Sequence, residues 1–208
     1  MKKPWHLAYR RPISLLLSLL FLSACGADRL EPLVESDVIL AFGDSLTHGV
    51  GSSNGDTYPA TLARLTGLTV INAGISGETT NEGAKRLQSV IAKYDPQLLI
   101  LLEGGNDILQ NHDKASIKRN LEQMIELALA RGIQIILIGV PEKKLFSDSA
   151  EFYQELADKY DLVFADDLLA DLLRSIKYKS DPIHLNSAGY QKLAEGIAQL
   201  LKENGALN

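Results

Sequence analysis

The sequence predicts a doubly wound α/β domain of three layers, with helices on both faces of a five-stranded parallel sheet. Three observations carry that expectation. Short apolar runs alternate with amphipathic stretches between residues 38 and 202, a pattern that folds into parallel strands with right-handed crossovers. One run, "QLLILL" (97–102), is apolar at consecutive positions, as a strand buried on both faces requires. The 208-residue chain is 46% hydrophobic and 23% charged, which suits one domain with a sizeable core.

Taken in order, the expected strands are Val38–Phe42, Thr69–Asn72, Gln97–Leu102, Gln134–Val140 and Leu162–Phe164. Between the third and fourth, Ile117, Leu121, Met124, Ile125 and Ala128 fall on one face of a helix over 114–131. Near the end, Tyr190, Leu193, Ala194, Ile197 and Leu201 repeat that spacing, with Asn186 placed as an N-cap. Gly67, Gly132 and Gly205 each follow a helical run as stop signals. No internal repeat or low-complexity linker interrupts residues 38–208, so they read as one domain. Pattern does not fix strand order; the flavodoxin-like order 2-1-3-4-5 is the expectation.

Residues 1–24 read as a lipoprotein signal peptide. Lys2, Lys3, Arg10 and Arg11 make a basic start, and "ISLLLSLLFL" (13–22) is an apolar run too short to span a bilayer comfortably. "LSAC" (22–25) then resembles the bacterial lipobox, which implies lipidation of Cys25 and a cell-envelope location, anchored in a membrane. The competing reading of Cys25 is a buried thiol, and Arg10-Arg11 raises twin-arginine export. Residues 25–37 form the expected lipidated cysteine and tether, whose twelve residues after Cys25 reach roughly 40 Å at full stretch. A single cysteine excludes an intrachain disulfide. Without residues 1–24 the formal net charge moves from −5 to −9. No basic stripe remains for nucleic acid.

Ligands of such sheets bind beyond the carboxyl ends of the strands, so the loops there hold the candidate site. They read "GDSLTHG" (43–49), "NAGISGETT" (72–80) and "EGGNDIL" (103–109), with "SDPIHLN" (180–186) before the last helix. Ser45 suits a helix cap, a turn or a nucleophile. As a nucleophile it needs a base, and His184 has Asp181 three residues before it with Pro182 between. A carboxylate there would fix the imidazole tautomer and stabilise the imidazolium. The alternative is that Asp181 caps a turn and His184 packs under the last helix, and on those two residues alone the readings balance. His48 reads as a loop residue at the cleft edge, and His112 beside Asp113 as a helix start at the surface. Acyl transfer also needs donors where an oxyanion develops; Ser45 N–H, Gly77 N–H and the Asn106 amide could supply them. Taken singly, glycines make turns and asparagine caps a helix.

Together the four loops resemble the GDSL, or SGNH, hydrolase family, on "GDSL" (43–46), "SGET" (76–79), "GGND" (104–107) and "DPIH" (181–184). "NAGISGETT" and "GGNDIL" look most like its bacterial thioesterase, lysophospholipase and arylesterase branch. The resemblance implies Ser45 as nucleophile, His184 as general base and acid, and Asp181 as its orienter. It implies an oxyanion hole of Ser45, Gly77 and Asn106, with Asp44 shaping the nucleophile loop. The expected activity is hydrolysis of small-molecule or lipid acyl esters through an acyl-enzyme, with no cofactor. The rivals are a carbohydrate or peptidoglycan O-acetylesterase and a non-catalytic envelope lipoprotein that binds lipid or glycan.

Other patterns carry less. "GSSNG" (51–55) matches the G-x-S-x-G elbow around Ser53, but no strand leads into it. "GVGSSNG" (49–55) lacks the third glycine of a dinucleotide loop. Asp166, Asp167 and Asp171 read as helix-flanking acids rather than a cation site, and no cysteine cluster or His-x-x-x-His pair suggests a metal. The runs 46–59 and 140–152 are the expected specificity loops.

Overall fold

The computed structural model describes residues 29–53, 55–142 and 148–207, together with Met1. Cys25 and the rest of the expected signal peptide lie outside the described residues.

Five strands, β1 (Val38–Gly43), β2 (Thr69–Gly74), β3 (Leu98–Leu102), β4 (Gln134–Ile138) and β5 (Val163–Ala165), form one parallel sheet. Its order is β2-β1-β3-β4-β5, the flavodoxin-like order expected. The three inner strands hold the driest residues: Ile39 to Phe42 of β1, Leu98 to Leu102 of β3 and Ile136 to Ile138 of β4 are fully buried. β4 ends two residues earlier than expected. Gly139 still donates to the Ala165 carbonyl, but Pro141 two positions on has no N–H to extend a ladder.

Helices α1 (Ser45–His48), α2 (Tyr58–Thr66), α3 (Thr80–Tyr94), α4 (Gly105–Leu109), α5 (Lys114–Leu129), α6 (Glu151–Tyr160), α7 (Leu168–Arg174) and α8 (Ser187–Glu203) join the strands. α3, α5 and α6 pack in succession along one face of the sheet, while α2, α8 and α7 do so along the other. The periodic faces predicted for α5 and α8 are the faces that are buried. Asn186 caps α8, accepting from the Gly189 N–H at 3.0 Å.

Residues 29–37, expected as part of a tether, lie against the domain. Leu30 is buried, and the N–H groups of Leu30 and Leu33 donate to the carbonyls of Asn204 and Ala206. The folded unit therefore reaches back to residue 29.

Register places the site. Gly43 pairs with Gly74 on one side and Leu102 on the other, so three strands end level and release their loops onto one rim. Close approach explains both glycines. A Cβ on Gly43 would stand 1.8 Å from the Leu102 carbonyl oxygen, and one on Gly74 would stand 2.1 Å from the His48 nitrogen. Neither position can carry a side chain without moving backbone.

Candidate functional site

The hydrophobic strand β1 stops on Gly43 because the chain must fold back at once over the end of β3. Asp44 follows as the N-cap of the single-turn helix α1, its carboxylate accepting from the Leu46 N–H at 3.0 Å. Gly49, in the left-handed region at φ 97°, closes the turn by donating to the Ser45 carbonyl. Ser45 is thereby held at the start of a helix on the sheet rim, half-buried.

The loop before α8 reaches that rim. Its carbonyls at Lys177 and Lys179 accept from the Asn186 side-chain amide at 2.9 and 3.1 Å, and the Tyr190 hydroxyl donates to the Val50 carbonyl at 2.7 Å. His184 Nδ1 lies 2.7 Å from Asp181 Oδ2, and its Nε2 lies 2.9 Å from Ser45 Oγ. A carboxylate only accepts, so Nδ1 carries the proton of the neutral ring and Nε2 is left to accept from the serine hydroxyl. Asp181 Oδ1 accepts from the Ile183 and His184 N–H groups at 2.9 and 2.8 Å. Partial burial pushes the Asp181 carboxyl upward, but the Ile183 N–H, the His184 ring and the His184 N–H outweigh it and hold the group below the usual carboxylate range. The turn reading and the base reading of "DPIH" both describe this loop: one carboxylate oxygen makes the turn while the other orients the ring.

Asn106 sits in the first turn of α4, whose N-cap is Gly104 at φ 111°, so the asparagine does not cap the helix. Its Nδ2 donates to the Glu78 carbonyl at 2.8 Å and approaches Asp44 Oδ2 at 3.4 Å. Gly77, at φ 84° and exposed, occupies a turn closed by the Glu78 N–H on the Ile75 carbonyl at 3.2 Å. Ser45, Asn106 and His184 line one cleft of about 680 Å³. Gly77 does not line that cleft; it borders the site through Glu78.

Four carboxyl groups lie buried beneath the rim: Asp44, Glu78, Glu103 and Asp107. Asp107 accepts from both the N–H and the hydroxyl of Thr80 at 2.8 Å, and from His112 Nδ1 at 3.2 Å. Burial raises Asp44 to about 6, against the lowering effect of the Leu46 N–H and of His184. Burial, with the negative charge of Asp44 and Glu78, drives Glu103 well above its ordinary value. Glu103 Oε2 has no hydrogen-bond partner among the described residues, which a neutral acid tolerates better than an anion. Glu78 pairs with Arg86, which the sequence reading did not single out. Glu78 and Asp107 each stood next to a chosen residue inside a quoted motif; Arg86, one of three cations on α3, had no such signal.

The remaining expectations divide. His48 is the last residue of α1 rather than a loop residue, with Nδ1 3.4 Å from the Gly74 carbonyl. Asp113 caps α5, but His112 pairs with Asp107 instead. Ser53 is exposed, and its N–H donates to Ser187 Oγ at 2.9 Å. Asp166 accepts from Ser149 and Asp171 pairs with Arg174, while Asp167 holds the N-cap position of α7. Among the described residues of the run 46–59 only Leu46 lines the cleft, whereas Val140, Pro141 and Glu142 do so from the other expected loop. α7, unforeseen in this role, adds Ala170, Leu173 and Arg174.

Residues 41–192 match the family described as GDSL-like Lipase/Acylhydrolase family. The chain is 32% identical over 127 residues to esterase TesA of Pseudomonas aeruginosa, covering 58% of this chain and 63% of that one. It is 27% identical over 206 residues to thioesterase 1/protease 1/lysophospholipase L1 of Escherichia coli strain K12, covering 95% and 92% of the two chains. Among solved structures, AlinE4, an SGNH-hydrolase family esterase, superposes with a TM-score of 0.63 at 33% identity, covering 82% of this chain and 97% of that one.

Proposed function

Because the chain belongs to the GDSL-like lipase/acylhydrolase family, we propose that it is a serine esterase acting on acyl esters or thioesters of lipid type. The observation that carries this reading is the unbroken run of hydrogen bonds from Ser45 Oγ through His184 to Asp181. Ser45 Oγ attacks the acyl carbonyl while His184 Nε2 takes the hydroxyl proton, and Asp181 stabilises the resulting imidazolium. The negative charge that develops on the carbonyl oxygen is met by the Ser45 and Gly77 N–H groups and the Asn106 amide. His184 returns the proton to the departing alcohol or thiol. A water, deprotonated by the same nitrogen, then releases the acid and restores the serine.

The cleft supports a lipid-type acyl group. Leu46, Ile108, Leu109, Val140, Leu173 and Ile183 give it an apolar wall, and its volume lies within the usual range for small-molecule sites. Leu109 and Ile183 are also exposed at its mouth. Membrane attachment through Cys25 in the cell envelope is part of the same proposal and rests on the sequence of residues 1–25. Palmitate labelling that disappears in Cys25→Ala would support it, and unchanged labelling would remove it.

The test of the activity is a p-nitrophenyl ester series from acetyl to palmitoyl, with a lysophospholipid, run beside Ser45→Ala. The expected result is Ser45-dependent hydrolysis favouring medium or long chains. A sharp optimum at acetyl would move the substrate to acetylated glycans, and no Ser45-dependent turnover would leave a binding protein.

A further inference from the structure

We propose that Arg86 is a positioning residue that sets the oxyanion hole through Glu78, an inference that rests on the esterase reading above. Arg86 projects from α3, and its guanidinium lies 3.9 Å from the centre of the Phe42 ring. Nε and Nη2 grip the two carboxylate oxygens of Glu78, each at 2.5 Å. Nη2 also donates to the Ala73 carbonyl at 2.7 Å, with the Gly43 carbonyl at 3.5 Å beyond it. One planar cation thus refers the Glu78 side chain to the ends of β1 and β2, the two strands that release Ser45 and Gly77.

Glu78 passes that reference on through its backbone. Its N–H closes the turn that holds Gly77 at positive φ, and its carbonyl accepts the Asn106 amide at 2.8 Å. Two of the three expected oxyanion donors are therefore registered on one residue whose carboxylate Arg86 fixes. The pair is interior: the Arg86 and Glu78 side chains are 19% and 4% exposed. A bidentate fork orients a carboxylate in a plane, which a lysine ammonium does not. Loss of the fork lets the Glu78 backbone drift. An oxyanion hole tolerates little drift, because its donors act only when preorganised.

The experiment compares Arg86→Lys, Arg86→Met and the double variant Glu78→Gln/Arg86→Met in the full chain. The double variant removes both charges, so it leaves no unpaired ion in the interior if Arg86→Met fails to fold. The readouts are kcat and KM on p-nitrophenyl butyrate, and Ki for an arylboronic acid that forms a tetrahedral adduct on Ser45. Ester binding needs little from the oxyanion donors, while the adduct needs them fully. The expected result is a fall in kcat of about 10- to 100-fold, less than for removing a donor outright. KM should stay within about threefold, and Ki should rise in step with the loss of kcat. Folded variants that keep wild-type kcat and Ki would overturn the positioning role, as would a lower kcat with unchanged Ki. Wild-type protein without Ser45-dependent hydrolysis would overturn the esterase reading itself, before any Arg86 variant is compared.

Discussion

The two sides of the cleft are built in opposite ways. On the base side, a loop of seven residues organises itself: Asp181 holds the N–H groups of residues two and three positions on, and the ring of the latter. Its carboxylate side chain is 43% exposed. On the oxyanion side the fixing contacts join separate loops and elements. Thr80 is tied to Asp107, the Glu78 carbonyl to Asn106, and Arg86 to Ala73 and Glu78, all of it buried or half-buried. The base side holds a tautomer, which local geometry can do. The oxyanion side holds separate loops in mutual register, which only the packed interior can do.

That contrast predicts where rate and stability separate. Asp181→Asn should cut kcat by about 10³–10⁴, since the ring loses its orienting anion. Its melting temperature should stay near that of the parent, because the side chain is 43% exposed and asparagine keeps an oxygen to accept the Ile183 and His184 N–H groups; a large drop in thermal unfolding would mean the loop is braced from the interior after all. Asn106→Ala should cost about 10²–10³ in kcat as a lost oxyanion donor, and a fall of less than about fivefold would remove the role. Asp107→Ala should act mainly on stability. It strands the Thr80 N–H in the interior, at a cost of about 1–3 kcal/mol readable by urea unfolding. An unchanged midpoint would contradict the claim that this side depends on interior bonds.

The pH-dependent effect concerns Asp44, which burial raises from 3.8 to about 6. Between those values the folded chain holds a proton that the unfolded chain has lost. The contribution of Asp44 to stability is therefore greatest below the unfolded value, falls as pH rises towards 6, and is flat above. Asp44→Asn has no such dependence. Unfolding free energies should thus show the parent losing ground to the variant across that window, and a constant difference would place Asp44 in a wetter setting than the buried turn.

The same contrast explains what the sequence could announce. "GDSL" and "DPIH" are legible because each packs its chemistry into four adjacent residues, and the parallel α/β sheet followed from alternation and the apolar run at 97–102, whereas its strand order was an expectation that pattern alone did not fix. Asp181 and His184 were nameable as a pair, since three residues separate them. Arg86 was not, because its partners Ala73 and Glu78 come from β2 and its following turn, and only the fold brings them under one guanidinium. α7 escaped notice as a cleft wall for a similar reason: Leu173 joins Leu46 in lining the cleft only once β5 has delivered its helix to the rim. The docking of residues 29–37 was hidden because a short polar segment with one buried leucine has no periodicity to read.

The most direct test of the central claim is covalent labelling by a fluorophosphonate probe, with the modified residue located by mass spectrometry. An activated Ser45 predicts stoichiometric phosphonylation at that residue, abolished in Ser45→Ala and strongly slowed in His184→Ala. No labelling, or labelling at another serine such as Ser53 that persists in Ser45→Ala, would contradict it.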